Sequence, residues 1–246
     1  MPLSPSATCP RALRTVRTVR PRWPAGVAPA LALALSLLLL TAGAAAATAD
    51  CPAPPRRWVE RPLPADCLAC WQTVERLPRG TLALDWIVPT TPEAPLAVAA
   101  LPEAAERFAA LTGRRQQVLP SPPAGVGLAV DSGLAWHGYV ALTFELRRPI
   151  RTSLPAGARG WVALVERVAA GQDGSGSDRR LVRALAGPLT LDAPATGEPL
   201  QHVLAVRLPE NAQTDRLGAV GWIERADGRL WLAVESPRPG CGPTRP

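Results

Sequence analysis

Cys67 and Cys70, in Asp66-Cys67-Leu68-Ala69-Cys70, are the side chains of this sequence best spaced for chemistry. An apolar pattern at three-to-four spacing begins beside them, at Leu68, Trp71, Val74 or Glu75, and Leu77; it predicts a short helix broken by Pro78 and Gly80. The sulfurs would then sit where a helix starts, and there unpaired N–H groups and the helix dipole favour thiolate over thiol. In that setting Cys67 would attack and Cys70 would resolve a mixed disulfide. Other roles stay open for the pair. The two can cross-link a turn, pair separately with Cys51 and Cys241, or join those two in a four-cysteine zinc site. The zinc arrangement lacks two paired ligand knuckles, and an oxidising compartment favours disulfides. A bond between Cys51 and Cys241 would close nearly the whole chain after the leader, worth about 4 to 5 kcal/mol in the chain-entropy model.

Fewer signals attach to other reactive residues. His137 and His202 are the two histidines, each in or beside an expected strand, where a surface or satisfied structural role is the simpler reading. Asp85 lies inside an apolar run, so its carboxylate needs a partner or a raised pKa if buried. No nucleophile elbow supports Ser-His-Asp chemistry. The loop Gly171 to Asp178 (GQDGSGSD) lacks the lysine and the strand-helix context of a phosphate loop. No motif calls for a cofactor or a metal. Of the eight tryptophans, most suit core and sheet packing, and an exposed group near Trp136 or Trp231 could form a binding face.

The compartment follows from the first 49 residues. Arg11, Arg14, Arg17, Arg20 and Arg22 precede an apolar run from Val27 to Leu40, and no acidic residue occurs before Asp50. Small residues then end in Ala47-Thr48-Ala49, so residues 1–49 read as a cleavable signal peptide and the mature chain as starting at Asp50. The apolar run is nearer a signal core than the roughly 20 residues of a membrane span, so no stable anchor is expected after cleavage. Export across a bacterial-type inner membrane makes the location periplasmic or secreted. Five of the 27 basic residues leave with the leader and none of the 20 acidic ones do, which leaves a charge of about +2. The remaining arginines are scattered or doubled and are not interleaved with aromatics, so nucleic acid is not expected as a partner. Another envelope protein is the partner that fits an exported chain of this kind.

The elements divide by texture. Residues 50–64, rich in Pro and Arg, read as an extended arm with at most a short strand around Trp58 to Glu60. Thr81 to Val88 (TLALDWIV) reads as a strand buried on both faces. Leu101, Ala104, Ala105, Phe108 and Leu111 make one face of a second helix, with Pro102 in its first turn and Gly113 as its cap. Beyond Pro120, Pro122 and Pro123 the pattern alternates, and strands are expected at 126–130, 138–147, 160–168, 180–186, 201–208, 219–225 and 229–235. Ala226-Asp227-Gly228 joins the last two as a three-residue hairpin loop. The expected fold class is α+β, a small α/β N-terminal unit (50–123) followed by an antiparallel β-sandwich-like region (124–238) and a short tail (239–246). GQDGSGSD is its most flexible-looking loop.

The cysteine motif, the strand LALDWIV with its following helix, Val130-Asp131-Ser132-Gly133, Gly160 to Val165 and the terminal GWIERADGRLWLAVES together resemble a family of exported thioredoxin-like proteins of unknown function. That family carries a CxxC-Pro motif and a C-terminal β-rich extension. The resemblance covers most of the chain after the leader, and it implies a thioredoxin-like N-terminal unit with thiol-disulfide exchange at Cys67 and Cys70. Trp71 stands where the family has proline. A thioredoxin site also needs a cis-proline facing the disulfide, and Pro120 is the candidate.

Overall fold

In the second half of the chain the alternating pattern builds strands close to those expected. The computed structural model describes residues 54–111, 113–192, 198–209 and 211–237; the leader, Cys51 and Cys241 lie outside them. β4 (Gly127–Trp136), β5 (Tyr139–Arg147) and β8 (Leu200–Arg207) form a three-stranded antiparallel sheet in the order β4-β5-β8. Val140, Leu142, Phe144 and Leu146 of β5 all point to one side of it and are fully buried. They pack on Val162 and Leu164 of β6 (Arg159–Val168) and on Ala219 and Ile223 of β9 (Leu217–Glu224). Each such buried aliphatic or aromatic side chain contributes about 1.5 to 3 kcal/mol. Two sheets therefore meet face to face around this core.

The larger sheet corrects the expected fold. Besides β6 and β9 it contains β7 (Arg179–Thr190), β10 (Leu230–Glu235), β1 (Arg57–Pro64), β2 (Thr81–Val88) and β3 (Gln116–Val118), in the order β10-β9-β6-β7-β2-β1-β3. A thioredoxin-like α/β unit with a sandwich after it does not form, because strands from both segments share one seven-stranded mixed sheet. β1 and β2 run parallel, and β2 gains its other neighbour from β7 through Asp85 and Leu181. An α/β unit also needs helices to cover both faces of its sheet. The α-helices among the described residues, α1 (Leu68–Gln72) and α2 (Pro102–Ala110), are too short for that, and the three-stranded sheet covers much of one face instead.

Two local departures have physical causes. β1 is a full eight-residue strand despite Pro62 and Pro64. Its Glu60 N–H donates to Arg115 O at 2.8 Å, so even-numbered N–H positions point toward β3. β3 pairs only with Arg57 to Val59, so the two prolines fall where no neighbour asks for a donor. α1 ends at Gln72, well short of Leu77, because its last carbonyls and the next N–H groups find partners elsewhere in the chain. Those partners belong to the candidate site.

Alternation splits the large sheet into two chemically distinct faces. Leu82, Leu84 and Trp86 of β2 join Trp58, Val182 and Trp222 beneath Ala104 of α2. On that face the Arg107 guanidinium bridges Glu60 (2.6 Å) and Glu224, and lies over the rings of Trp86, Trp161 and Trp222 at 5.9, 5.8 and 5.1 Å. Burial pulls the Arg107 pKa down, but hydrogen bonds and attraction from Glu60 and Glu224 outweigh it and hold the group firmly charged. Asp85 and Ile87 point to the opposite face, toward α1.

Candidate functional site

Cys67 and Cys70 are bonded to each other, with Cα atoms 5.3 Å apart. That excludes separate bonds from these two sulfurs to Cys51 and Cys241 in this oxidised form, and in it neither Cys67 nor Cys70 is a thiolate that could ligate zinc. A tight turn after β1, closed by Cys67 N–H donating to Pro64 O at 3.0 Å, sets Cys67 as the N-cap of α1. Its Sγ accepts from Cys70 N–H at 3.2 Å. Both cysteines are half-buried, and Leu68 and Ala69 between them are exposed. The disulfide thus stands at the end of the β1–β2 pair with one side open to solvent.

α1 is held from below by a buried arginine. Arg179 Nη2 donates to the carbonyls of Cys70 (3.0 Å) and Trp71 (2.7 Å), and its Nη1 donates to Asp85 Oδ1 at 2.9 Å. Its guanidinium lies 4.9 Å from the Trp71 ring. Asp85, fully buried, takes a second arginine, Arg61 Nη2 at 2.7 Å, so the carboxylate in the apolar strand has its partners. Burial draws the Arg61 pKa down, but Asp85 and then Glu75 raise it above its ordinary value. Asp85 is enclosed between two cations and, through Arg179, positions the helix.

The loop that looked most flexible turns out to be a latch. Ser175 and Ser177 are buried. Ser177 Oγ accepts from Glu75 N–H at 2.6 Å and donates to Thr73 O at 3.0 Å, while Gly176 N–H donates to Trp71 O at 3.1 Å. These bonds take the groups that would have continued α1. A Cβ on Gly176 would stand 2.0 Å from Gln72 O, so only glycine allows this approach. Trp71 completes the anchor, its Nε1 donating to Asp173 O at 2.8 Å.

Other expected residues disperse. Pro120 is exposed and follows β3, whose last residue pairs with Arg57 at the start of β1. It lies roughly 20 Å of strand from the disulfide, at about 3.3 Å per residue. The cis peptide bond among the described residues is Gly187–Pro188. His137 occupies the β4–β5 turn with φ 48°, followed by Gly138 with φ 78°. His202 contacts Thr190 O at 2.9 Å and packs toward Phe144. Trp231 is buried in the core, whereas Trp136 is 75% exposed.

Two features were missed at the sequence level. One is Arg179. The other is a buried pair, Arg183 of β7 and Glu166 of β6, on the same face as Arg179 and Asp85. Period-two alternation carries the signal in both places. Val162, Leu164, Glu166 and Val168 share one face of β6, and Arg179, Leu181 and Arg183 share one face of β7. Burial pushes the Glu166 pKa up, against the pull of Arg183, and burial lowers that of Arg183 itself.

No protein-family model and no curated protein matches the chain. Among solved structures it is similar to a domain of the outer membrane lipoprotein Omp28 from Porphyromonas gingivalis, with a TM-score of 0.32 and 11% identity over 48% of this chain and 90% of that one. It is also similar to HBP35 of Porphyromonas gingivalis, with a TM-score of 0.41 and 10% identity over 78% of each chain. Likeness at these scores carries no argument about shared fold or function.

Proposed function

We propose that this chain is a non-catalytic, disulfide-braced binding module of the bacterial cell envelope, which docks another envelope protein on the outer face of its three-stranded sheet. One observation carries the reading. Leu134, Trp136, Tyr139 and Val203 are 93, 75, 53 and 67% exposed, on adjoining strands of that sheet. Trp136 pairs with Tyr139, and Val203 pairs with Thr143 of the strand that Tyr139 begins, so these side chains emerge on one side. Leu134 sits in the bulge of β4 beside them. Large apolar side chains gathered on a rigid sheet, with one tryptophan among them, have the composition of an interface centre. The leader-like first 49 residues and a formed disulfide support an envelope or secreted setting.

A photo-crosslinking residue at Tyr139, introduced in living cells, tests this directly. The expected result is one discrete adduct with an envelope protein, lost in Trp136→Ser and kept in Arg147→Ser, which alters an exposed pair nearby. No adduct, or one indifferent to Trp136, would remove the reading.

Thiol-disulfide exchange through Cys67 and Cys70 is the second reading, favoured by the half-exposed sulfurs at the start of α1. The two separate on the reduction potential. A bond below about −300 mV belongs to a structural brace, and a markedly higher value belongs to exchange.

A further inference from the structure

We propose that the cavity between α1, the segment 96–99 and the large sheet binds a free α-amino acid with an apolar side chain, the ligand's carboxylate on Arg183 and its ammonium on Glu166. The cavity measures about 190 Å³. Trp71, Ile87, Leu96 and Leu181 supply apolar walls, and Arg183 and Glu166 supply the polar end. The Arg183 and Glu166 side chains are only 3 and 6% exposed, yet Arg183 Nε stands 3.6 Å from Glu166 Oε2, too long for a hydrogen bond. That Nε has no hydrogen-bond partner among the described residues. Arg183 Nη2 donates to Asn211 Oδ1, and Glu166 Oε1 accepts a long bond from Gln213 N–H at 3.3 Å.

Two opposite charges buried 3.6 Å apart keep their Coulomb attraction but lack the hydrogen bond that would help offset the desolvation of Arg183 Nε. Their pKa directions agree, since burial acts against the charged form of both. A zwitterion offers an acceptor to the guanidinium and a donor to the carboxylate, so it satisfies both at once. A ligand with a single charge would satisfy one and crowd the other. The volume is small beside the ~300 to 1,000 Å³ of drug-sized pockets and suited to a single amino acid. Asp173 at the rim is already held by Arg216 at 2.6 Å, which leaves the buried pair as the recognition element. The cavity shares no residue with the Trp136 surface, so the two proposals stand or fall separately.

Calorimetric titration of the oxidised protein with leucine is the test. One-site saturable binding is expected, with 4-methylpentanoate and 3-methylbutylamine, each lacking one charge, weaker by about tenfold to a hundredfold. Leu96→Trp, which fills the cavity from its wall, should abolish binding while the protein stays folded, with an unchanged far-ultraviolet circular dichroism spectrum. Glu166→Gln should reduce the preference for leucine over 4-methylpentanoate. Absence of heat with leucine overturns the proposal. So does equal binding of 4-methylpentanoate or of N-acetyl-leucine, which would point to a peptide end, and so does undiminished affinity in Leu96→Trp.

Discussion

Arg179 is the single residue on which the local structure leans hardest, since one guanidinium pairs the buried Asp85 and caps two carbonyls of α1. Arg179→Met leaves Asp85 with Arg61 alone, removes the side-chain donor from the Cys70 carbonyl and leaves the Trp71 carbonyl with Gly176 N–H alone. Removing one partner of a buried ion pair costs about 3 to 5 kcal/mol, whereas breaking an exposed pair such as Arg147–Glu145 costs about 0 to 1. Urea denaturation of Arg179→Met and Arg147→Ala should show that contrast, and similar midpoints for both would refute the clamp. Glu166 makes a pH prediction. Its pKa in the folded chain is raised above the ordinary 4.5, chiefly by burial, while Arg183 and Arg216 pull it down and Asp173 pushes it up. A raised value means the fold prefers the proton, so the contribution of Glu166 is fully present at low pH and is lost as pH climbs through the raised value. As pH climbs from about 4.5 through that raised value, the native protein should lose stability relative to Glu166→Gln. Melting curves at stepped pH measure this, and parallel curves for the two proteins would contradict it.

At the scale of elements, α1 is short because its continuation is outcompeted by the loop after β6. Glu75 N–H is bound by Ser177, 102 residues away in sequence, and Trp71 O by Gly176. Gly176→Ala forces a methyl group into the Gln72 carbonyl, and overpacking of this kind costs about 1 to 3 kcal/mol. The latch should open at the same time, so dithiothreitol should reduce Cys67–Cys70 faster in Gly176→Ala than in the native chain. Equal rates would show that the loop does not guard the helix. The same competition explains what could be read in advance. The alternation in β5 and β6 is a local property of the chain and reports itself, as does the three-residue turn at Gly228. The length of α1 and the tolerance of Pro62 and Pro64 in β1 depend on partners distant in sequence, and no local pattern announces them. Cys67 and Cys70 were legible from spacing alone. Glu166, Arg179 and Arg183 were legible only through the phase of their strands, as charges on positions that alternate with core residues.

For the whole molecule the question is whether the disulfide or the seven-stranded sheet holds the fold. Cys67–Cys70 closes a loop of only a few residues, for which the chain-entropy model gives about 2 kcal/mol. The sheet draws strands from both ends of the described chain, and both of its faces are packed, one beneath α2 and one against the three-stranded sheet. The brace therefore acts on α1 and its immediate surroundings, while cohesion comes from burial across the sheet. Cys67→Ala/Cys70→Ala should accordingly stay folded and lose no more than about 2 kcal/mol, with its far-ultraviolet circular dichroism unchanged. Hydrogen exchange should quicken at Leu68 to Thr73 and in the loop 171–178, and should remain slow in β6, β7 and β9, where protection reports the core. Global unfolding of the double variant at 25 °C would reverse this ordering and make the three-residue bridge, in place of the sheet, the element that decides whether the chain folds.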